Sequence, residues 1–511
     1  MDGGSFAVCC YVPHKPSCAS GVYTLGCVRQ LIRVTCAAQS FREFKTIPNT
    51  RENFDVAQPS LRRELEFRHA TALVIANMIG TGIFTTTGFL AGDLGRPSLV
   101  LGIWVVGAMI AVAGCVCYAE MGVNLPQSGG EYIFLREAWG PLWGFLSGWI
   151  SFFAGFAAPI AAAALAFSAY FAHFFPSFAV ADAAANSAGV AGWFHTGHGR
   201  WLAVGIVVVF SVVNILGLRL AAKIQNIITA LKLGALALFL GFALAIGHGN
   251  MGHFSQAAIR TSSHSLPAQF AVSLIFVMFA YSGWNAATYV SGEMKTPERT
   301  LPTSLVAGTV TVAVFYLLLN VAFVYALPLE SMKGVVAIGE VSAGALFGLR
   351  GGNFFSAIMS VGLLSCVSAM VIAGPRVYFA MAVDRCFFPT AARIHPQWGT
   401  PVYAIIYQAM AAILMILTGT FESLVYYIGF ALIFFAALAV AGMMRLRQRV
   451  GWRKLGAVNW VYPLVPGLFI LASAWMLFYT ASMRPKESAL GLLTILLGAA
   501  LYEWKFRQPQ V

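Results

Sequence analysis

Three stretches of this 511-residue chain carry residues whose types and spacing could do chemistry. The first runs Ile75-Ala76-Asn77-Met78-Ile79-Gly80-Thr81-Gly82-Ile83-Phe84, with two glycines inside an apolar run. The second is Phe279-Ala280-Tyr281-Ser282-Gly283-Trp284-Asn285, and the third is Lys232, a single charge deep in an apolar segment. Glycine weakens a helix, so the first two stretches predict interrupted helices. An interruption frees N–H and C=O groups that lipid cannot satisfy, and these must face protein or a cavity. The helix restarting near Thr81 points its positive end at the gap, which suits a carboxylate. Segments ending near Met78 and Ile79, and near Phe279 and Ala280, present spare carbonyls that suit an ammonium group. A carboxylate site beside an ammonium site describes an α-amino acid. Close helix packing is the other reading of Gly80-Thr81-Gly82. The matching interruption at Ser282 and Gly283 favours a binding site. Trp284 then belongs either to the pocket or to the core. Asn285 contacts either the ligand or a helix backbone.

Nothing comparable supports catalysis. Eight of the nine histidines lie in loops or tails, and His173 sits at a span end. Cys115, Cys117, Cys366 and Cys386 lack acid, base or metal-type companions. No enzyme activity, cofactor or metal is expected.

The elements that hold these stretches must be membrane helices. The chain is 59% hydrophobic and 10% charged, against roughly 25% charged in soluble domains. Forty Phe, 17 Tyr and 12 Trp exclude disorder. The net charge of +13 sits almost wholly between apolar runs, which argues for membrane topology and against nucleic-acid binding. Twelve spans are expected, at about 70–92, 98–121, 142–172, 200–217, 224–248, 267–290, 302–327, 353–382, 402–420, 423–444, 460–482 and 488–504. Continuous apolar runs exclude a β-barrel. With a cytoplasmic N-terminus the inner side holds 24 Lys and Arg and the outer side seven, so both termini are expected inside, in a plasma membrane.

The interruptions fall in spans one and six, the first helices of two successive five-helix sets. An odd number of spans inverts the second set relative to the first, and paired breaks in inverted halves mark a midplane site. The expected organisation is therefore a tail at 1–69, a first repeat at 70–248, a second at 267–444, two further spans at 460–504 and a short cytoplasmic tail at 505–511. The first tail holds five of the nine cysteines. It reads as an unstructured cytoplasmic segment, or as an extension from a start codon placed too early. The loop 126–140 reads as a turn into an interfacial helix, with inner gating as the alternative. Lys232 lies nine residues past Lys223, about 13 Å along the helix and near the middle of a roughly 30 Å core. A charge there costs about 2.5–3.5 kcal/mol and is functional by default; the alternative is a structural tether to carbonyls of the span-one break. No Asp or Glu stands mid-span, Glu120 and Glu293 lying near inner ends, so a neutral ligand is favoured over a cationic one.

These stretches resemble the amino acid–polyamine–organocation superfamily, closest to its L-type and bacterial amino acid permeases. The resemblance rests on Gly80 to Phe84, Tyr118 to Tyr132, Asn214 to Asn226, Phe279 to Asn285 and Gly374 to Ala382, in family order. It implies an all-α LeuT-like fold: twelve transmembrane helices, five-plus-five inverted repeats and two C-terminal helices. It also implies that Thr81, Gly82 and Ile83 offer amides to the substrate carboxylate. Carbonyls of Met78, Ile79, Phe279, Ala280 and Ser282 would take the amine, and Phe279 would gate the site. Ser282 stands where relatives usually have Gly, and Ala382-Val383-Asp384-Arg385 departs from the family's inner loop. Lysine at the place of Lys232 stands where sodium-coupled relatives hold an ion. This implies transport without sodium, by exchange or with protons. Eukaryotic relatives are often disulfide-linked to a heavy chain through the loop after span three. Here the loop 174–199 lacks cysteine, so no such partner is expected.

Overall fold

The computed structural model describes residues 65–127, 129–179 and 195–506. Most of the 1–69 tail, the middle of the 174–199 loop, Ser128 and residues 507–511 lie outside the described residues, and the expectations for them with it. Among the described residues the regular structure is helical, apart from a single bridge between Leu65 and Met294. Helix is what lipid demands, because each N–H can then close on a carbonyl of its own segment.

The first span is α1 (Phe67–Met78) and α2 (Gly82–Leu94), bent by 45° at a three-residue break. There follow α3 (Pro97–Asn124), the short α4 (Glu131–Trp139), α5 (Pro141–Phe171), α6 (His198–Leu216) and α7 (Leu218–Ala245). Then come α8 (Leu266–Tyr281), with a 3₁₀ segment at Ala286–Glu293 beyond it, α9 (Pro297–Ala326) and α10 (Ile338–Val383). The last are α11 (Val402–Thr418), α12 (Phe421–Leu446), the short α13 (Gly456–Val461), α14 (Leu464–Met483) and α15 (Pro485–Leu501). Pro97, Pro141, Pro297 and Pro485 open helices, where a missing N–H removes nothing and φ is already helical. Within α5, Ser151–Ala157 is π-helical just before Pro159, which has no N–H to give the preceding turn.

The span count differs from the expected twelve. Among the described residues ten helices are long and apolar enough to cross a bilayer, and the bent α1–α2 pair makes an eleventh. The expected span 402–420 is α11, whose 17 residues reach only about 26 Å against a roughly 30 Å core. The expected eighth span 353–382 lies inside α10, which Gly348, at φ 71°, breaks into a short leading helix and the long helix that carries the span. The glycines of Gly348-Leu349-Arg350-Gly351-Gly352 interrupt the apolar run between the two.

Packing brings the key residues together. α9 lies against both α1 and α3, α8 against α2 and α3, and α10 against α5 and α7. The α1–α2 break is thereby enclosed by α8, α9 and α10.

Candidate functional site

At the first break α1 stops at Met78, Ile79 leaves helical geometry at ψ 87°, and α2 starts at Gly82. No side chain caps α2, and Phe84 N–H turns back to Thr81 O at 3.0 Å. The amides of Thr81, Gly82 and Ile83 thus head a 13-residue helix with the donor capacity an anion needs.

At the second break α8 ends at Tyr281, and Ser282 N–H closes on Phe279 O at 3.1 Å. Gly283 then takes φ 95°, which side chains rarely adopt, and a Cβ there would meet the Asn77 carbonyl at 2.9 Å. Reciprocally, a Cβ on Gly82 would land on the Ala280 backbone. Each break therefore carries one glycine pressed against the other break. Gly80 differs: its Cβ would find only Met78 O at 3.8 Å and Cys366 Sγ at 4.0 Å. Packing and site readings of Gly80-Thr81-Gly82 are thus divided between the two glycines.

The freed carbonyls are met from other helices. Lys232 on α7 is buried and donates from Nζ to Ile79 O at 2.6 Å, its stem passing Gly362 of α10. The Tyr316 hydroxyl on α9 lies 2.6 Å from Met78 O and 3.1 Å from Ala280 O, bridging the two breaks. Tyr316 was invisible to sequence reasoning, because an aromatic residue in an apolar run carries no local signal. Trp104 and Tyr281 hold its ring, with centroids 5.4 and 5.3 Å away. Cys366, weighed in the sequence only as a thiol without companions, lies beside Gly80. Phe279 is buried edge-on to Phe421 at 6.3 Å.

Two expected site residues have other partners. The Trp284 ring packs on Tyr118 and Phe469, 4.6 and 6.4 Å away, within the core. Among the described residues the Asn285 side chain bonds neither a helix backbone nor the first break. Its amide donates to Glu131 Oε1 at 3.0 Å, and the Tyr118 hydroxyl donates to the same oxygen at 2.7 Å. Glu131 opens α4, and burial holds its carboxyl above the usual range despite both donors. The loop 126–140 is thus tied to the second break.

The sequence model of the family described as "Amino acid permease" matches residues 65–500. This chain belongs to that family. The permease is 30% identical to the serine/threonine exchanger of Bacillus subtilis over 451 residues, covering 86% of this chain and 96% of the exchanger. It is 28% identical to the human large neutral amino acids transporter small subunit 2 over 452 residues, 87% of this chain and 80% of that protein. With the human Asc-type amino acid transporter 1 the identity is 26% over 469 residues, 89% and 84% of the two chains. The matched region begins where the described residues begin, and it contains both breaks, Lys232 and Tyr316.

Proposed function

We propose that this permease exchanges neutral L-amino acids across the plasma membrane by alternating access, without sodium. The observation that carries the reading is the meeting of an uncapped helix start with carbonyls of Met78, Ile79 and Ala280. A carboxylate goes to Thr81, Gly82 and Ile83, and an ammonium to carbonyls that have a second lone pair to offer. Lys232 already donates to Ile79 O, which disfavours sodium at that carbonyl and leaves the Met78 and Ala280 oxygens, met only by a neutral hydroxyl, for the substrate ammonium. The serine/threonine and large neutral substrates named for its relatives point the same way. The two five-helix sets move relative to each other, with Phe279 as the gate, Lys232 as the coupling residue and both termini cytoplasmic. The permease works without a covalently linked subunit.

Proteoliposomes holding the purified chain test this. Labelled serine and leucine should enter vesicles preloaded with neutral amino acid, equally in sodium and potassium buffers. A strict sodium requirement, or uptake restricted to lysine and arginine, overturns the proposal. Uptake into empty vesicles driven by an inward proton gradient would replace exchange with proton symport.

A further inference from the structure

A groove of about 520 Å³ lies between α3, α9, α13 and α14. Its lining is apolar throughout, from Trp104 and Val116 on α3 and Ala313 and Leu317 on α9 to Val461. Such a face in a membrane protein meets acyl chains, and three observations specify which ones. The lining runs twelve residues along α3 from Trp104 to Val116, about 18 Å, close to the depth of a single leaflet.

The groove's end near Val116 is also marked by charge. One turn beyond Val116, Glu120 Oε2 accepts the Leu455 N–H at 3.1 Å, and Asn124 Oδ1 accepts the Arg453 N–H at 2.8 Å. These bonds pin Arg453 and Lys454 at the end of α3, where both side chains are exposed. Glu120 is itself spent on Arg447, 2.7 Å away and buried. The first turn of α9 adds one charge of each sign, Glu298 and Arg299. The mouth is therefore net positive. Trp460, 89% exposed beside Val461, adds the indole that favours the headgroup level.

We infer that this groove is a lipid site, taking one acyl chain of an anionic phospholipid from the leaflet on the α12–α13 side, with its phosphate against Arg453 and Lys454. The chain lies along α3 and α9 and ends at Trp104, the ring that backs Tyr316.

Native mass spectrometry of the whole chain, released from detergent with equal palmitoyl-oleoyl phosphatidylglycerol and phosphatidylcholine, tests the inference. Wild type should retain phosphatidylglycerol in preference. Removing both cations in Arg453→Gln/Lys454→Gln should shrink that preference by roughly fivefold per cation while phosphatidylcholine retention persists. Ala313→Trp should fill the groove and lower retention of both lipids by about tenfold. Should Ala313→Trp fail to fold, the exposed double variant decides alone. Equal retention of the two lipids by wild type, an unchanged preference in the double variant, or undiminished retention by folded Ala313→Trp each overturns it.

Discussion

The carbonyl ends at the α1–α2 break are held by side chains arriving from other spans, Lys232 from α7 and Tyr316 from α9. The end of α8 is held differently. Tyr316 reaches Ala280 there too, but Asn285 beyond it reaches out to Glu131 at the start of α4. One break is thus secured by donors of the surrounding helices, and the other also by a strap to the short helix α4. The difference teaches that the two breaks can be loosened separately. A change at Lys232 addresses the first alone, a change at Glu131 the second alone, and a change at Tyr316 both.

The largest expected effect comes from forcing the breaks apart. Gly82→Leu drives a side chain into the Ala280 backbone, an overpacking of at least about 1–3 kcal/mol, so substrate binding should fall by roughly a hundredfold. Gly80→Ala, with its nearest contacts at 3.8 and 4.0 Å, should bind nearly as wild type. Equal losses in the two variants, measured by equilibrium binding on protein that elutes as a single species, would remove the distinction between the glycines.

Lys232→Met comes next. It keeps the stem packed on Gly362 but leaves Ile79 O without its donor. Turnover should fall about tenfold or more while affinity falls roughly threefold, because the donor secures one conformation of the cycle. Binding and flux lost in proportion on one preparation would make the lysine purely structural. Tyr316→Phe removes a shared hydrogen bond from both breaks, and affinity should drop roughly two- to tenfold.

The smallest effect concerns the strap. Glu131→Gln keeps an oxygen for Tyr118 and Asn285 but removes the titration. Burial raises the folded-state carboxyl above its unfolded value, so the folded protein binds the proton more tightly. Wild-type stability should therefore decline as pH climbs from about 4.3 through the raised value, then level off. The glutamine variant should show a flatter melting temperature across that window. Identical pH profiles would show that Glu131 is not the group responsible.

Much of this architecture could be read from residues alone. Apolar runs located the spans because bilayer thickness fixes their length, and Lys232 stood out because a charge in such a run has no neutral explanation. The interruptions were legible because glycine marks them locally. Tertiary partners were not. Tyr316 looks like any aromatic residue of α9, and Glu131 and Asn285, 154 positions apart, carry nothing that announces their bond. The helix ahead of Gly348 was hidden for another reason, because its ten residues, 338–347, are too few to read as a span.

The Tyr316 bridge has a numerical side. A hydroxyl carries one hydrogen, yet the oxygens of Met78 and Ala280 both lie within its reach, at 2.6 and 3.1 Å. At any instant one of them receives that hydrogen and the other does not. An α-ammonium arrives with three hydrogens and can supply the neglected oxygen whichever it is. The secondary ammonium of an N-methyl amino acid, with two, has less freedom to do so. Under the proposed function, the permease should then rank ligands of equal charge and similar side chain by how many hydrogens their nitrogen bears.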